Sequence, residues 1–404
     1  MVLFLHNRYR TTGGEERVVE DLMWLVREQL AEPVELLARS SAELGPAGAA
    51  LGLLRGGLEP ADVGRAVRGG GARVVHAHNL QPSLGWRALA AARAAGARVV
   101  LHLHQYRLVC AIGVCFTRGA ECTRCHGRDT LPGVRLNCRG SRAEAAAYAA
   151  SLALWQRRMV EQADAFVVPS EFARERLREL GAPLPWDRVH VIAPPVRALA
   201  QEDRPDAGPG TSAAAGPGAR AGTGAGAGTG DVAGTGDGAG GGAYALVVAR
   251  LAPEKGVDVA IDACRAAGMA LLIAGDGPQR RALEARAAGA AVTFAGHVDD
   301  AELARLRASA SIALVPSRSA ETFGLAAAEA MAVGLPVIAS RVGALPELVE
   351  QDALVDPGDA DALAQAVGRL AGDGAAGRRG RQRVRAVCAP SVVAEALARV
   401  YDGA

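Results

Sequence analysis

Residues 312–340 read IALVPSRSAETFGLAAAEAMAVGLPVIAS. The run Ile312–Val315 is apolar and short, as a buried strand is. A polar loop follows, then a helix from about Gly324 to Val333, then a second strand, Pro336–Ala339. At the junction of loop and helix stand Glu321, Phe323, Gly324, Leu325 and Glu329. Thr322 is placed to cap the helix by accepting from its free N–H groups. Gly324 lacks a side chain, so a ligand can come close to the backbone. The helix start offers unpaired amides and the positive end of a dipole, which suits a phosphate. Two carboxylates beside an anion seat would repel the anion. They make sense as acceptors for hydroxyl groups attached to it. A phosphate carrying sugars on either side, a nucleotide-sugar, meets both conditions.

Read singly, Glu321 is a solvated loop residue and Glu329 a solvated helix residue. The whole string is more specific. Glu-x-Phe-Gly-x-x-x-x-Glu, between an apolar strand and a second strand in Gly-Leu-Pro-Val-Ile-Ala, resembles the donor-site signature of the family 4 glycosyltransferases. The resemblance implies a retaining enzyme of the GT-B architecture, with two doubly wound Rossmann-like α/β domains facing one cleft. It covers nearly the whole chain except residues 201–243 and the cysteine-bearing segment 110–138, and is strongest over residues 244–350.

The first half fits this frame. Val2–Leu5 is a strand, Gly13-Gly14 a turn, and Glu15 to about Leu30 a helix with Val18, Val19, Leu22, Leu25 and Val26 at helical spacing. A Gly-Gly turn before a helix is common by itself. Here GGEERVV resembles the family's first loop, which implies that Gly13 and Gly14 approach the donor diphosphate. Further strands at 33–38, Arg73–His76 and Arg98–Leu103 alternate with helices, which argues for a parallel sheet. In such sheets ligands bind beyond the carboxyl ends of strands. His102 and His104 end one strand and are expected on opposite faces, one buried and one toward the cleft. His104 matches the family's histidine set against the transferred sugar, and His78 is a second candidate.

Residues 110–138 hold Cys110, Cys115, Cys122, Cys125 and Cys138. Cys122-x-x-Cys125 has zinc-knuckle spacing, and Cys110 and Cys138 complete a four-thiolate set. The other reading is a group of reduced, partly buried thiols. A zinc here is structural; no metal is expected in the catalytic site and no cofactor is required for the chemistry.

Residues 201–243 are almost entirely Gly, Ala, Thr, Pro and Ser. They lack the apolar surface to fold and divide the chain into an acceptor-side domain, 1–200, and a nucleotide-sugar domain, 244–404. A flexible linker of this length reaches on the order of 30–35 Å. The second half opens with a strand, Tyr244–Ala249, then Arg250, and Lys255 five residues later. Arg offers a planar fork and Lys a point charge, and the two can grip a diphosphate from two sides. Singly each is a surface cation; together they match the family's diphosphate clamp. Gly277 and Val298 lie in turns at strand ends, which by the resemblance border the nucleoside. The last helix packs back on the first domain in this architecture.

The chain has 404 residues, enough for two domains with full cores, and a net charge of +2. It shows no basic field that would suit nucleic acid. The opening apolar run stops after four residues, so it reads as a strand and not a signal peptide. No run approaches the ~20 apolar residues of a membrane span. The expectation is a cytoplasmic protein making at most peripheral contact with the inner face of a membrane. Seven cysteines in such a chain do not suggest a disulfide framework.

The reaction these readings imply moves a hexose-type sugar from a nucleoside diphosphate to an acceptor hydroxyl, in polysaccharide or glycoconjugate biosynthesis. Arg250 and Lys255 stabilise the leaving diphosphate, with the Gly324 and Leu325 amides. Glu321 holds sugar hydroxyls, Glu329 ribose hydroxyls, and His104 touches the sugar. Phe323 belongs to the same donor-binding string. The acceptor is left open among saccharide, lipid-linked and small-molecule classes. Two alternatives stand beside it: a non-catalytic nucleotide-sugar-binding scaffold, and an epimerase of the same architecture. The scaffold would show losses in the motifs, and none is missing. The epimerase needs an acid–base pair that the sequence does not display.

Overall fold

The computed structural model describes residues 1–9, 13–202 and 244–403. Nearly all of the expected linker therefore lies outside the described residues.

The first domain holds β1 (Val2–Arg8), β2 (Val34–Ser40), β3 (Val74–Ala77), β4 (Arg98–His102), a two-stranded hairpin β5 (Phe116–Thr117) and β6 (Ala120–Glu121), β7 (Ala165–Val168) and β8 (Val189–Val191). Its sheet is parallel, in the order β2-β1-β3-β4-β7-β8. The second domain holds β9 (Tyr244–Val248), β10 (Ala270–Ala274), β11 (Val292–Gly296), β12 (Ile312–Val315), β13 (Val337–Ser340) and β14 (Leu354–Val355). That sheet is also parallel, in the order β11-β10-β9-β12-β13-β14. Strands β3, β7, β12 and β13 are buried along their whole length. Continuous apolar runs are what a sheet covered on both faces requires.

In each sheet the first strand has neighbours that the chain reaches in opposite directions. The order switches between β1 and β3 in one, and between β9 and β12 in the other. A crevice opens at the carboxyl ends of such strands. The loops leaving β1, β3, β9 and β12 carry Tyr9, Gly13 and Gly14, His78, Arg250 to Lys255, and Ser317 to Gly324. The fold thus gathers most of the candidate residues at two facing switch points.

The chain's last helix, Pro390–Asp402, joins the first domain. Val393, Leu397, Val400 and Tyr401 are buried in one core with Val2, Phe4, Val18 and Leu22. Arg98 Nε donates to the Val400 carbonyl at 2.9 Å, and Arg73 pairs with Asp402 at 2.9 Å. Residues 41–71, silent as sequence, form the helices Pro46–Arg55 and Pro60–Gly70, each opened by a proline at the first turn.

Candidate active site

The loop after β12 is held from three sides. Gly256, at φ +62°, sits so that an added Cβ would lie 2.1 Å from the Pro316 carbonyl oxygen. Gly343, at φ +61°, would place one 2.4 Å from the Glu321 backbone. Both positions therefore need glycine for conformation and for space. The Glu254 carbonyl accepts from Arg318 N–H at 2.8 Å and Ser319 N–H at 3.2 Å, which joins the Lys255 turn to this loop. A Gly343→Ala chain should lose about 2–3 kcal/mol of stability, because both strain and backbone clash act there; urea unfolding checks it, and an unchanged midpoint contradicts it.

The functional side chains follow from that scaffold. Lys255 Nζ donates to Glu321 Oε1 at 2.6 Å, and Ser317 Oγ donates to the same oxygen at 2.6 Å. Burial alone would raise the Glu321 carboxyl; the Lys255 charge and the two hydrogen bonds overcome it and hold the carboxyl below its ordinary range. Arg250 is half exposed and pairs with Glu254, so the two expected clamp cations are each held by a carboxylate. Glu329 pairs with Arg307, and Arg17 Nε of the first domain lies 4.0 Å away. The Phe323 side chain is buried in the second domain's core, so only its backbone faces the loop. Val298 lies half-buried in the loop that leaves β11. Gly277 packs with its Cα against Leu251, where a Cβ would come 2.5 Å from that residue's carbonyl oxygen.

Thr322 does not cap the helix Leu325–Ala332. The cap is Gly324, in the left-handed region at φ +102°, without a side-chain acceptor. Thr322 Oγ1 instead donates to the His104 carbonyl at 2.9 Å, across the cleft. Ser170 caps its own helix by accepting from Ala173 N–H and also donates to the Thr322 carbonyl at 2.7 Å. Glu347 accepts from the Glu171 and Phe172 N–H groups at 3.2 and 2.6 Å. Gly14 faces Leu325, with 3.1 Å from a built Cβ to Leu325 Cδ1. The Gly13–Gly14 turn, the Gly324–Leu325 helix start and His104 thus converge on one seam. Glu16 fastens the turn by accepting from Tyr9 N–H at 3.0 Å and Gly13 N–H at 2.9 Å.

His102 and His104 do not face apart. Residues two apart on a strand share a face, and their rings stack with centroids 4.1 Å apart. His76 and His78 extend the stack on the neighbouring strand. His76 Nδ1 meets the Tyr401 hydroxyl at 2.7 Å, His76 Nε2 meets His102 Nδ1 at 3.2 Å, and His78 Nδ1 meets His104 Nε2 at 2.7 Å. Burial pushes His76 and His104 down to about 3, and His78 and His102 well below the ordinary value. The rings are neutral, one nitrogen donating to the next. Nitrogen atoms of His76, His78 and His102 come within 4.8 Å of one another. Stacked rings with interplanar angles of 13–30° point their lone pairs side by side, so they do not converge on one ion.

The five cysteines of 110–138 line one apolar pocket. The neighbouring Cys115 thiol and backbone N–H groups hold the Cys110 thiol down, to about 6, against its burial. Among the described residues no three of these sulfur atoms lie within 4.8 Å of one another. No helix of the described residues is long and apolar enough to cross a membrane.

Sequence reasoning missed the glycine clasp at Gly343, the Ser317 bond, and the Tyr9, Glu15, Gln105 and Arg107 group in the first domain. Gly343 was legible as a glycine in a turn; its partner 22 residues earlier was not.

Two family descriptions match the chain: Glycosyl transferase 4-like domain over 13–195 and Glycosyl transferases group 1 over 242–373. With the two six-stranded sheets facing one cleft, these place the chain among the family 4, group 1 glycosyltransferases of GT-B architecture, and it belongs to that family. It is similar to the GDP-mannose-dependent alpha-(1-6)-phosphatidylinositol dimannoside mannosyltransferase of Mycobacterium tuberculosis, at 46% identity over 109 residues. That match spans 26% of this chain and 28% of the relative. Among solved structures, Anabaena Alr3699/HepE, in complex with UDP and glucose, matches with TM-score 0.62 at 17% identity, covering 100% of this chain and 99% of that one. Sucrose-phosphate synthase from Thermosynechococcus elongatus matches with TM-score 0.62 at 19% identity, covering 100% and 98%.

Proposed function

We propose that this glycosyltransferase moves a hexose from a nucleoside diphosphate to an acceptor hydroxyl with retention at the anomeric carbon. The observation that carries the reading is the Lys255–Glu321–Ser317 group, beside the Gly324 helix start and opposite His104. The name of the mycobacterial relative supports a hexose donor, and the solved neighbour with UDP and glucose supports a nucleotide-sugar.

In this reading the diphosphate sits at the amides of Gly324 and Leu325. It draws Lys255 away from Glu321, and Arg250 away from Glu254. Glu321, freed, accepts hydroxyls of the sugar, and Glu329 those of the ribose. The bond from the anomeric carbon to the diphosphate oxygen breaks. The acceptor oxygen bonds that carbon on the same face, and its proton passes to the departing diphosphate. The cations and amides stabilise the charge that grows on the leaving group, which is where preorganised electrostatics contribute most. Neutral His104 contacts the sugar without adding a charge near the developing cationic centre. The contacts of Thr322 with His104 and Ser170 hold the cleft against water.

Proton NMR of the freshly formed product tests this. Retention predicts that the product carries the donor's anomeric configuration; an inverted product overturns the mechanism. A structural zinc on Cys110, Cys122, Cys125 and Cys138 is a separate proposal. Metal analysis of the purified chain decides it, with about one zinc per chain on one side and metal-free protein on the other.

A further inference from the structure

A small open cleft lies at the carboxyl ends of β1, β3 and β4, beside the seam where Thr322 meets His104. His78, His102 and His104 form one wall, and Tyr9, Glu15, Gln105 and Arg107 another. The chemistry of that second wall is unusual for a neutral sugar site.

Arg107 is a cation set inside the cleft without a salt bridge. Among the described residues no carboxylate lies within 4 Å of it. Its guanidinium lies over the Tyr9 ring, 4.9 Å from the centroid, and one nitrogen donates to Gln105 Oε1 at 3.1 Å. Its Nε is buried with no partner. Gly113, at φ +89°, makes room for this arrangement: a Cβ there would lie 2.7 Å from Gln105 Oε1 and 3.2 Å from Arg107 Nε.

Glu15 is the nearest counter-charge, and it is spoken for elsewhere. The Tyr9 hydroxyl donates to its Oε2 at 2.6 Å, and Gln105 Nε2 approaches the same oxygen at 3.3 Å. Gln105 therefore stands between the cation and the carboxylate, giving its oxygen to one and its amide to the other. Burial raises the Glu15 carboxyl by more than Arg107 lowers it, as expected when the two charges are not in contact. A buried guanidinium is costly unless a hydrogen-bonded anion answers it. A planar fork answers phosphate or carboxylate best.

We propose that this cleft is the acceptor subsite and that it selects an anionic acceptor. A phosphate or carboxylate of the acceptor pairs with Arg107, taking the place of Gln105. The hydroxyl to be glycosylated then lies toward His104 and the donor seam. Glu15 and Tyr9 hold a second polar group of the acceptor, which fixes its orientation. The inference rests on the glycosyltransferase reading for what the bound molecule becomes, but not for its binding.

Calorimetry of the full chain tests the binding directly. A hexose 6-phosphate and a hexuronate should bind, and the matched methyl hexoside should bind at least about 100-fold more weakly, a charge-assisted bidentate contact being worth roughly 2–3 kcal/mol. Arg107→Gln should erase the difference. Arg107→Lys should keep part of it, and that variant guards against a folding defect. Vesicles carrying phosphatidylinositol, against phosphatidylcholine alone, separate a lipid headgroup from a free phosphate sugar as the source. Equal binding of charged and neutral probes by the unaltered chain overturns the proposal. So does a charge preference that survives in Arg107→Gln. Nucleotide binding is measured in parallel. If nucleotides fail to bind while anions do, the donor reading falls and this one stands. If nucleotides bind and anions are not preferred, this one falls alone.

Discussion

Lys255→Met should lower kcat by about 10²–10³-fold, the usual loss when one preorganised donor to a developing anion is removed. The effect is large because two functions fail together. The leaving diphosphate loses its point charge, and Glu321 loses the partner that keeps it ionised. With Lys255 gone, burial is left opposed only by Ser317 Oγ, so the Glu321 carboxyl rises. Residual activity should therefore acquire a rising limb with pH that the unaltered enzyme lacks in the same range. The sign follows from the chemistry: the ionised carboxylate is the form that accepts sugar hydroxyls, and it is recovered as pH rises. The acceptor KM should barely change, since the proposed acceptor cleft lies in the other domain. Steady-state kinetics over pH 5–9 check all of this. A kcat within threefold of the unaltered enzyme contradicts it.

Acid should destabilise the first domain steeply. His76, His78 and His102 are buried, and their folded-state affinity for protons is depressed, to about 3 for His76. The unfolded chain takes up protons near 6.5. Between these values the unfolded state binds more protons, so stability rises with pH there and is lost as pH falls. At pH 5, about 1.5 units below 6.5, His76 contributes on the order of 2 kcal/mol of loss, at about 1.4 kcal/mol per unit, and His78 and His102 act in the same direction. Urea unfolding at pH 7.5 and 5.0 checks it. His104 is partly exposed and is left out of this sum. A midpoint that does not move between the two pH values contradicts the neutral stack.

Much of the architecture could be read in advance because it follows from local pattern. The runs Val2–Leu5, Ile312–Val315 and the apolar residues before Ser340 are short, continuous and flanked by turns, so both parallel sheets were visible. The loop and helix start after β12 were legible because Glu321, Gly324 and Glu329 lie close together in sequence. What stayed hidden depends on distant partners. Thr322 looks like a cap, yet its hydroxyl is taken by the His104 carbonyl, 218 residues away. Arg250 looks like a free cation, yet Glu254 holds it. The histidine stack needs β3 and β4 to be neighbours in register, with His76 opposite Val100. Arg107 has no motif at all. Its meaning comes from the lack of an ion pair around it among the described residues, which only the packed domain displays. Phe323 was placed with the donor residues by its position in the string, and packing claims its ring instead.

Nucleotide binding tests the proposed donor site most directly. Purified protein is melted with UDP, GDP, ADP and dTDP, alongside Arg250→Ala and Lys255→Met. A ligand that binds only the folded state raises the melting temperature by mass action, by about 2.7 kcal/mol of stability at a hundredfold excess over Kd. One nucleotide should stabilise the unaltered chain and lose most of that effect in both variants. No shift with any nucleotide, or an equal shift in all three proteins, would contradict it.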